Sequence, residues 1–213
     1  MNDGTMYSWG WNPHGELGDG TINMNALVPQ QVRGDGGTGL LANIAQVDAG
    51  EYVSSACGED GSVWTWGGNY ASQLGRAGSV SSLGRVVGVG GTGTLPNVVH
   101  VDAAYDHIAA LLGDGSVVSW GENLWGAIGD GNAPSDATSP TAPTGPGGTG
   151  SLTNVIAITT TDYYSTFALL GDGSVFGWGW NNNGEMGYIG GDTCNTNRNC
   201  QFTPIQIPSL DLF

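Results

Sequence analysis

Apolar and polar positions alternate with a period of two in short runs along this chain, and the runs return in the same order four times. In G-S-V-W-T-W, Val63 and Thr65 fall on one face and Trp64 and Trp66 on the other, as the pleat of a β-strand requires. Each such run follows an Asp-Gly pair, at Asp3, Asp60, Asp114 and Asp172, and ends in Trp-Gly. The tryptophans Trp9, Trp66, Trp120 and Trp178 recur at intervals of about 54–58 residues, a period that indicates a repeat architecture. An N-x-x-G-x-apolar-G loop comes next. Asn12, Asn69, Asn123 and Asn181 suit turns in which the side chain bonds its own backbone. Gly15, Gly126 and Gly184 are expected at positive φ, with Ser72 in their place in the second unit. Leu17, Leu74, Ile128 and Met186 follow as apolar plugs.

Further strands complete each unit. A second strand is expected at 28–32 and 203–207, with weaker counterparts in G-R-V-V-G-V and S-P-T-A-P-T. Its prolines assign it to a sheet edge. A G-G-T-G cassette at Gly36, Gly90 and Gly147 leads into a third strand starting at Asn43, Asn97 and Asn154. A fourth strand covers 53–57, 107–112 and 165–170. The third and fourth are the most uniformly apolar and are expected deepest in the core. No window holds a helical period, so no helix is predicted. Four short strands per repeat describe one blade of a β-propeller. The fold class is therefore all-β, a propeller of four-stranded antiparallel blades, about three and a half of them within a single domain spanning 1–213. The units run about 3–59, 60–113, 114–171 and 172–213, the last being incomplete.

Composition sharpens this picture. Gly is abundant at 39 of 213 residues, but it sits at recurring turn positions rather than in a low-complexity tract. Four Lys+Arg against nineteen Asp+Glu give a formal charge of −15, which excludes a basic face for nucleic acid. No apolar stretch is long enough to span a membrane as a helix. The N-terminal residues carry neither the basic nor the apolar region of a signal peptide, and Met1 is not expected to be a natural start. Cys194 and Cys200 bracket a polar loop suited to a short-range disulfide, while Cys57 takes the place of Leu111 and Leu169 and reads as a small buried residue.

Candidate chemistry is sparse. Glu16 with Asp19, and Glu59 with Asp60, are turn acids. Asp19, Asn23 and Asn25, or Asp192, Asn195 and Asn197, could supply some Ca²⁺ oxygens but lack the spacing of a calcium loop. His14, His100 and His107 lie on different elements without zinc spacing, and His107 reads as a core histidine. No catalytic constellation, cofactor or metal is predicted. Trp11, Trp125 and Trp180 lie in or beside the N-x-x-G loops, where they serve as partner contacts or sugar-stacking platforms, or else wedge between blades.

The strand order and the pattern D-G-x-V-x-x-W-G-x-N-x-x-G-x-L-G resemble the regulator of chromosome condensation repeat family across nearly the whole chain, in the style of bacterial surface and secreted members. The resemblance implies a propeller, seven-bladed as a rule. The family's G-x-x-H maps to Gly50 through Val53, Ala104 through His107 and Thr161 through Tyr164, so one unit keeps the His. Fourteen strands would make about half a ring. The chain is then a piece of a longer precursor, an unusually small ring, or one of several copies that complete each other. Asp3, Trp9, Ile205 and Phe213 mark the edges where assembly would occur. The expected function is a non-catalytic scaffold for protein–protein contact, extracellular or at the cell surface and part of a larger assembly. The alternatives are a structural subunit that pairs with copies of itself and a carbohydrate-binding module.

Overall fold

The computed structural model describes residues 4–78, 82–194 and 198–208. Its strands form successive antiparallel sheets. The first pairs β1 (Tyr7–Gly10) with β2 (Ala26–Gln31). The second runs β3 (Ile44–Ala49), β4 (Val53–Gly58), β5 (Val63–Gly67) and β6 (Gly84–Arg85). The third runs β7 (Val98–Ala103), β8 (His107–Leu112), β9 (Val117–Gly121) and β10 (Ala137–Thr141). The fourth contains β11 (Val155–Thr160), β12 (Ser165–Leu170), β13 (Val175–Trp180), β15 (Arg198–Gln206) and, at its edge, β14 (Asp192–Cys194). This is a partial propeller of about three and a half blades. The sheets follow one another without closing into a small ring.

The sheets are phased differently from the units that begin at Asp-Gly. The second, third and fourth sheets each take the third and fourth strands of one unit and the first and second of the next, because an Asp-Gly turn joins β4 to β5, β8 to β9 and β12 to β13. In these turns Asp60, Asp114 and Asp172 each accept the backbone N–H of the serine two residues on. β14 was not foreseen as a strand and brings the described strands to fifteen. It pairs Thr193 with Asn199, and Cys194 and Cys200, Cα atoms 5.8 Å apart, are joined by a disulfide. The G-G-T-G cassettes close into tight turns at Asp35–Gly37, Val89–Gly91 and Pro146–Gly148, in which Gly36, Gly90 and Gly147 take positive φ of 61–74° and not a helical backbone.

The core is divided among the interfaces between consecutive sheets. One apolar cluster joins Val32 and Leu41 to Trp64 and Trp66, another joins Val53 and Leu74 to Ile108 and Trp120, and a third joins Leu111 and Val117 to Phe176 and Trp178. Burial is deepest in β4, β5, β8 and β9, not in the third strands of the units. β3 and β11 pack on one face only, so their apolar residues Val47 and Ile156 are exposed. Pro140 lies on the edge strand β10 as expected, and Pro204 lies on the part of β15 that β14 does not reach.

The bends obey backbone sterics. Gly15, Gly126 and Gly184 have φ near 84°, and Ser72 takes the same left-handed conformation at φ 64°. The loop asparagines do more than bond their own backbone. Asn12, Asn69, Asn123 and Asn181 each accept the N–H of the apolar plug five residues on, at 2.9–3.1 Å. The amides of Asn12, Asn123 and Asn181 also donate to carbonyls on the far side of the loop. These three are fully buried, so each loop is built around a polar core of one residue.

Candidate functional site

The turns from β3 to β4, β7 to β8 and β11 to β12 open on the same side of the sheets as the N-x-x-G loops, because β4 and β5 are antiparallel and Val53 pairs with Gly67. The equivalent pairs are His107 with Gly121 and Ser165 with Gly179. A Cβ on any of these three glycines would collide with the carbonyl of Tyr52, Asp106 or Tyr164. The close approach brings each turn against the loop beside it.

Aromatic rings form a continuous ribbon across this side. Trp11 lies 6.0 Å from Tyr52, and His14 is 5.2 Å from both Tyr52 and Tyr70. Tyr52 meets Tyr105 edge-on at 5.2 Å, and their hydroxyls are 3.3 Å apart. Tyr105 lies 5.9 Å from Tyr164, Tyr164 lies 6.4 Å from Trp125, and Trp125 meets Trp180 edge-on at 4.7 Å. The ribbon thus runs over all four sheets, and the three tryptophans singled out in the sequence belong to it. Their settings differ. Trp11 is 52% exposed, Trp125 is half-buried, and Trp180 is buried with Arg198 over its ring. With one face taken by Arg198 and an edge of Trp125 against it, Trp180 offers no open platform for a sugar ring.

The tyrosines that join them were missed. Their signal was an aromatic residue one or two positions before each fourth strand, in E-Y-V, Y-D-H and Y-Y-S. The third turn holds one residue more than the other two, and Tyr164 takes φ 66° there. That insertion also corrects the expected G-x-x-H column, whose third member by register is Ser165, not Tyr164. His107 itself is fully buried on β8, with Nε2 3.1 Å from Thr166 Oγ1, and burial lowers its pKa to about 4.

Carboxylates lie beside the ribbon. Burial, with Glu51 and Asp136 nearby, raises Asp106 to about 6, while Gln73 Nε2 donates to its Oδ1 at 2.7 Å. Burial, with Asp106 and Asp136, raises Glu122 to about 7. The Tyr164 hydroxyl is pushed up by burial and then by Glu122, and that of Tyr52 by its bonds with Tyr105 and Glu51, so both stay protonated donors.

The close His14–Glu16 pair, 2.8 Å apart, belongs to the repeat rather than to a reaction. Glu16 also accepts the His14 N–H, as Gln73 accepts that of Ala71 and Glu185 that of Asn183. Asp19 is occupied by Thr21 and Asn25 by the Asn12 N–H, and no group of three metal-ligating side chains occurs among the described residues. Asn195 and Asn197 lie outside the described residues, as do Asp3 and Phe213. Cys57 is buried and outside any disulfide, its thiol donating to the Val98 carbonyl at 3.3 Å and its pKa pushed up by burial. Of the other edge residues, Trp9 is 63% exposed on β1, and Ile205 pairs with Gly177 on the part of β15 that β14 does not reach.

Comparison with known proteins agrees with this architecture. A family profile described as regulator of chromosome condensation (RCC1) repeat matches residues 3–57 and 172–212, and a second of the same description matches 155–185. The ultraviolet-B receptor UVR8 of Arabidopsis thaliana is 29% identical over 188 residues, covering 87% of this chain and 39% of the receptor. The probable E3 ubiquitin-protein ligase HERC6 of Homo sapiens is 31% identical over 189 residues, covering 87% of this chain and 17% of the ligase. Human WBSCR16 superposes with a TM-score of 0.73 at 24% identity, over 98% of this chain and 50% of that one. Yeast RCC1 (Prp20), in its complex with Kap60, gives 0.70 at 18% identity over 97% and 45%. The chain spans half or less of the length of each of these proteins. From its four-stranded sheets, its recurring Trp-Gly and N-x-x-G elements and these matches, the chain belongs to the regulator of chromosome condensation repeat family.

Proposed function

We propose that this chain is a non-catalytic scaffold that binds a protein partner across its aromatic ribbon. The observation that carries the reading is the run of rings from Trp11 to Trp180 on one side of four consecutive sheets. Tyrosine and tryptophan on rigidly held loops supply contact area at low entropic cost, and such residues dominate binding energy at interfaces. Family support comes from yeast RCC1, which is seen bound to Kap60 and whose Prp20p form is described with binding to Gsp1p and histones. With a charge of −15, this chain favours a basic partner segment.

The test is selection of peptides from a random displayed library on the intact chain. Enriched peptides should carry Arg or Lys and should lose binding to Trp11→Ala and Tyr52→Ala. Enrichment indifferent to both substitutions would overturn the reading. An extracellular or cell-surface setting is part of the proposal and draws on the Cys194–Cys200 disulfide. Antibody labelling of unpermeabilised source cells tests it, and signal only after permeabilisation would refute it.

A second reading, pairing of copies through the first sheet, draws on Trp9, Leu27 and Val28, exposed by 63%, 95% and 61%. Sedimentation over a range of concentrations separates the two, since a monomer throughout leaves only the scaffold.

A further inference from the structure

We infer that the ribbon contains a receptor for a methylated ammonium group, such as a trimethylated lysine side chain or a free choline-type cation. The inference deepens the scaffold reading and rests on it, because it names the chemistry that one part of the partner brings.

The observation is a cavity of about 540 Å³ between the β3–β4, β7–β8 and β11–β12 turns, lined by Gly50, Glu51, Tyr105, Asp162, Tyr163 and Tyr164. Its volume lies in the ordinary range for a small-ligand site. Glu51, Tyr105 and Tyr163 hold the same place in three successive units, fifteen residues before Trp66, Trp120 and Trp178. They converge on one space because the three turns lie side by side. Packing does not explain Glu51 or Tyr163, since Tyr163 is 73% exposed and Glu51 is also exposed.

The chemistry of the lining selects the ligand. Ring faces attract a cation through their quadrupole, and a methylated ammonium, which has no hydrogen-bond demand and weak hydration, loses least on entering such a space. Tyr105 and Tyr164 are inclined at 57° to one another, so the rings form a corner and not a flat stack. Glu51 and Asp162 place formal negative charge at the same cavity. Among the described residues no Lys or Arg lines the cavity to neutralise it. The chain contains no lysine, and its arginines are engaged elsewhere. Arg85 lies over Trp64, Arg198 over Trp180, Arg33 donates to the Asp19 carbonyl and Arg76 to that of Thr65. Glu122, raised to about 7, adds charge behind Tyr164 as the pH rises.

The experiment titrates the intact chain with tetramethylammonium, choline, a trimethyl-lysine peptide and the neutral tert-butyl analogue of choline, followed by calorimetry and tyrosine ring NMR. The charged methylated probes should bind and the neutral analogue should bind at least about tenfold more weakly. Tyr163→Ala and Tyr105→Ala should each weaken binding by about three- to tenfold, whereas Tyr163→Phe should leave it within about twofold, because the ring and not the hydroxyl is needed. A peptide bound far more tightly than choline assigns the site to a protein-borne group, and the reverse assigns it to a free cation. Equal binding of the neutral analogue, or tetramethylammonium binding unchanged in both alanine variants, would overturn the proposal. If the selected peptides then still bind and still depend on Trp11 and Tyr52, the cation pocket alone has failed. Loss of that dependence would instead remove the scaffold reading beneath it.

Discussion

Trp120 donates its indole Nε1 to the backbone carbonyl of Gln73, in the loop of the preceding sheet, at 2.9 Å. Trp66 does the same to Glu16 at 2.7 Å and Trp178 to Ala127 at 2.8 Å. Each acceptor is the residue before an apolar plug. The glycine after that plug lies under the indole, where a Cβ on Gly75 would come within 2.7 Å of Trp120. The Trp-Gly and plug-Gly signatures of neighbouring units are therefore two halves of one inter-sheet contact.

Trp120→Phe removes that hydrogen bond, leaves the Gln73 carbonyl buried without it and opens a cavity. The expected loss is about 2–3 kcal/mol, read as a fall of roughly 4–12 °C in melting temperature by circular dichroism. Trp9 stands in the same column but is 63% exposed, so Trp9→Phe should change stability by less than about 0.5 kcal/mol. Equal losses at the two sites would refute the inter-sheet account.

Ser72 occupies the left-handed bend that Gly15, Gly126 and Gly184 occupy in the other loops. Relief of its Cβ strain should exceed the entropy that a glycine adds to the unfolded chain. Ser72→Gly is then expected to stabilise by about 0.5 kcal/mol, and Gly184→Ser, at φ 82° with only ordinary van der Waals contacts to the added Cβ, to destabilise by about 1 kcal/mol. Urea midpoints for the two variants check this, and a loss at Ser72 would contradict it.

Much of this was legible from residues whose role is local. The left-handed bends, the Asp-Gly turns and the period-two strands follow from chemistry within a few positions of each residue, and Ser72 could be placed by alignment with its sister units alone. The ribbon was not legible, because Tyr52, Tyr105 and Tyr164 lie in turns of three or four residues that carry no period. Their meaning arises only when separate sheets stand side by side. Sheet phasing was hidden for a related reason, since a hairpin at Asp-Gly is equally compatible with a boundary between blades and with the middle of one. β14 was obscured by its polar composition, its pairing being local to β15 and to the cysteines.

Of the three cysteines, two are joined in the β14–β15 hairpin and Cys57 is buried. Alkylation of the native, unreduced chain should label no thiol, and alkylation after unfolding without reductant should label one. Reduction should lower stability by about 2 kcal/mol, the loop-closure value for so short a ring. Mass spectrometry reads the labels, and two or three labels without reductant would exclude the disulfide.

The acidic groups beside the ribbon set a pH dependence whose sign can be worked out. Glu122 has an ordinary value of 4.5 and is raised to about 7 in the fold, chiefly by burial. The fold therefore favours its protonated form, and that contribution is complete below 4.5 and lost as pH rises through about 7. Asp106, raised from 3.8 to about 6, acts in the same direction. His107 acts in the opposite one, because burial lowers it from 6.5 to about 4 and its contribution disappears as pH falls across that range. These partly cancel in the wild-type profile, so the informative quantity is the difference between wild type and Glu122→Gln, in which His107 is common to both. The two proteins should melt together near about pH 5. By about pH 8 the variant should be more stable by about 1 kcal/mol, or roughly 2–4 °C, the full shift being reduced by the solvent that still reaches this half-buried side chain. A gap that did not widen with pH, or one that favoured the wild type, would show that Glu122 is not held against its charge.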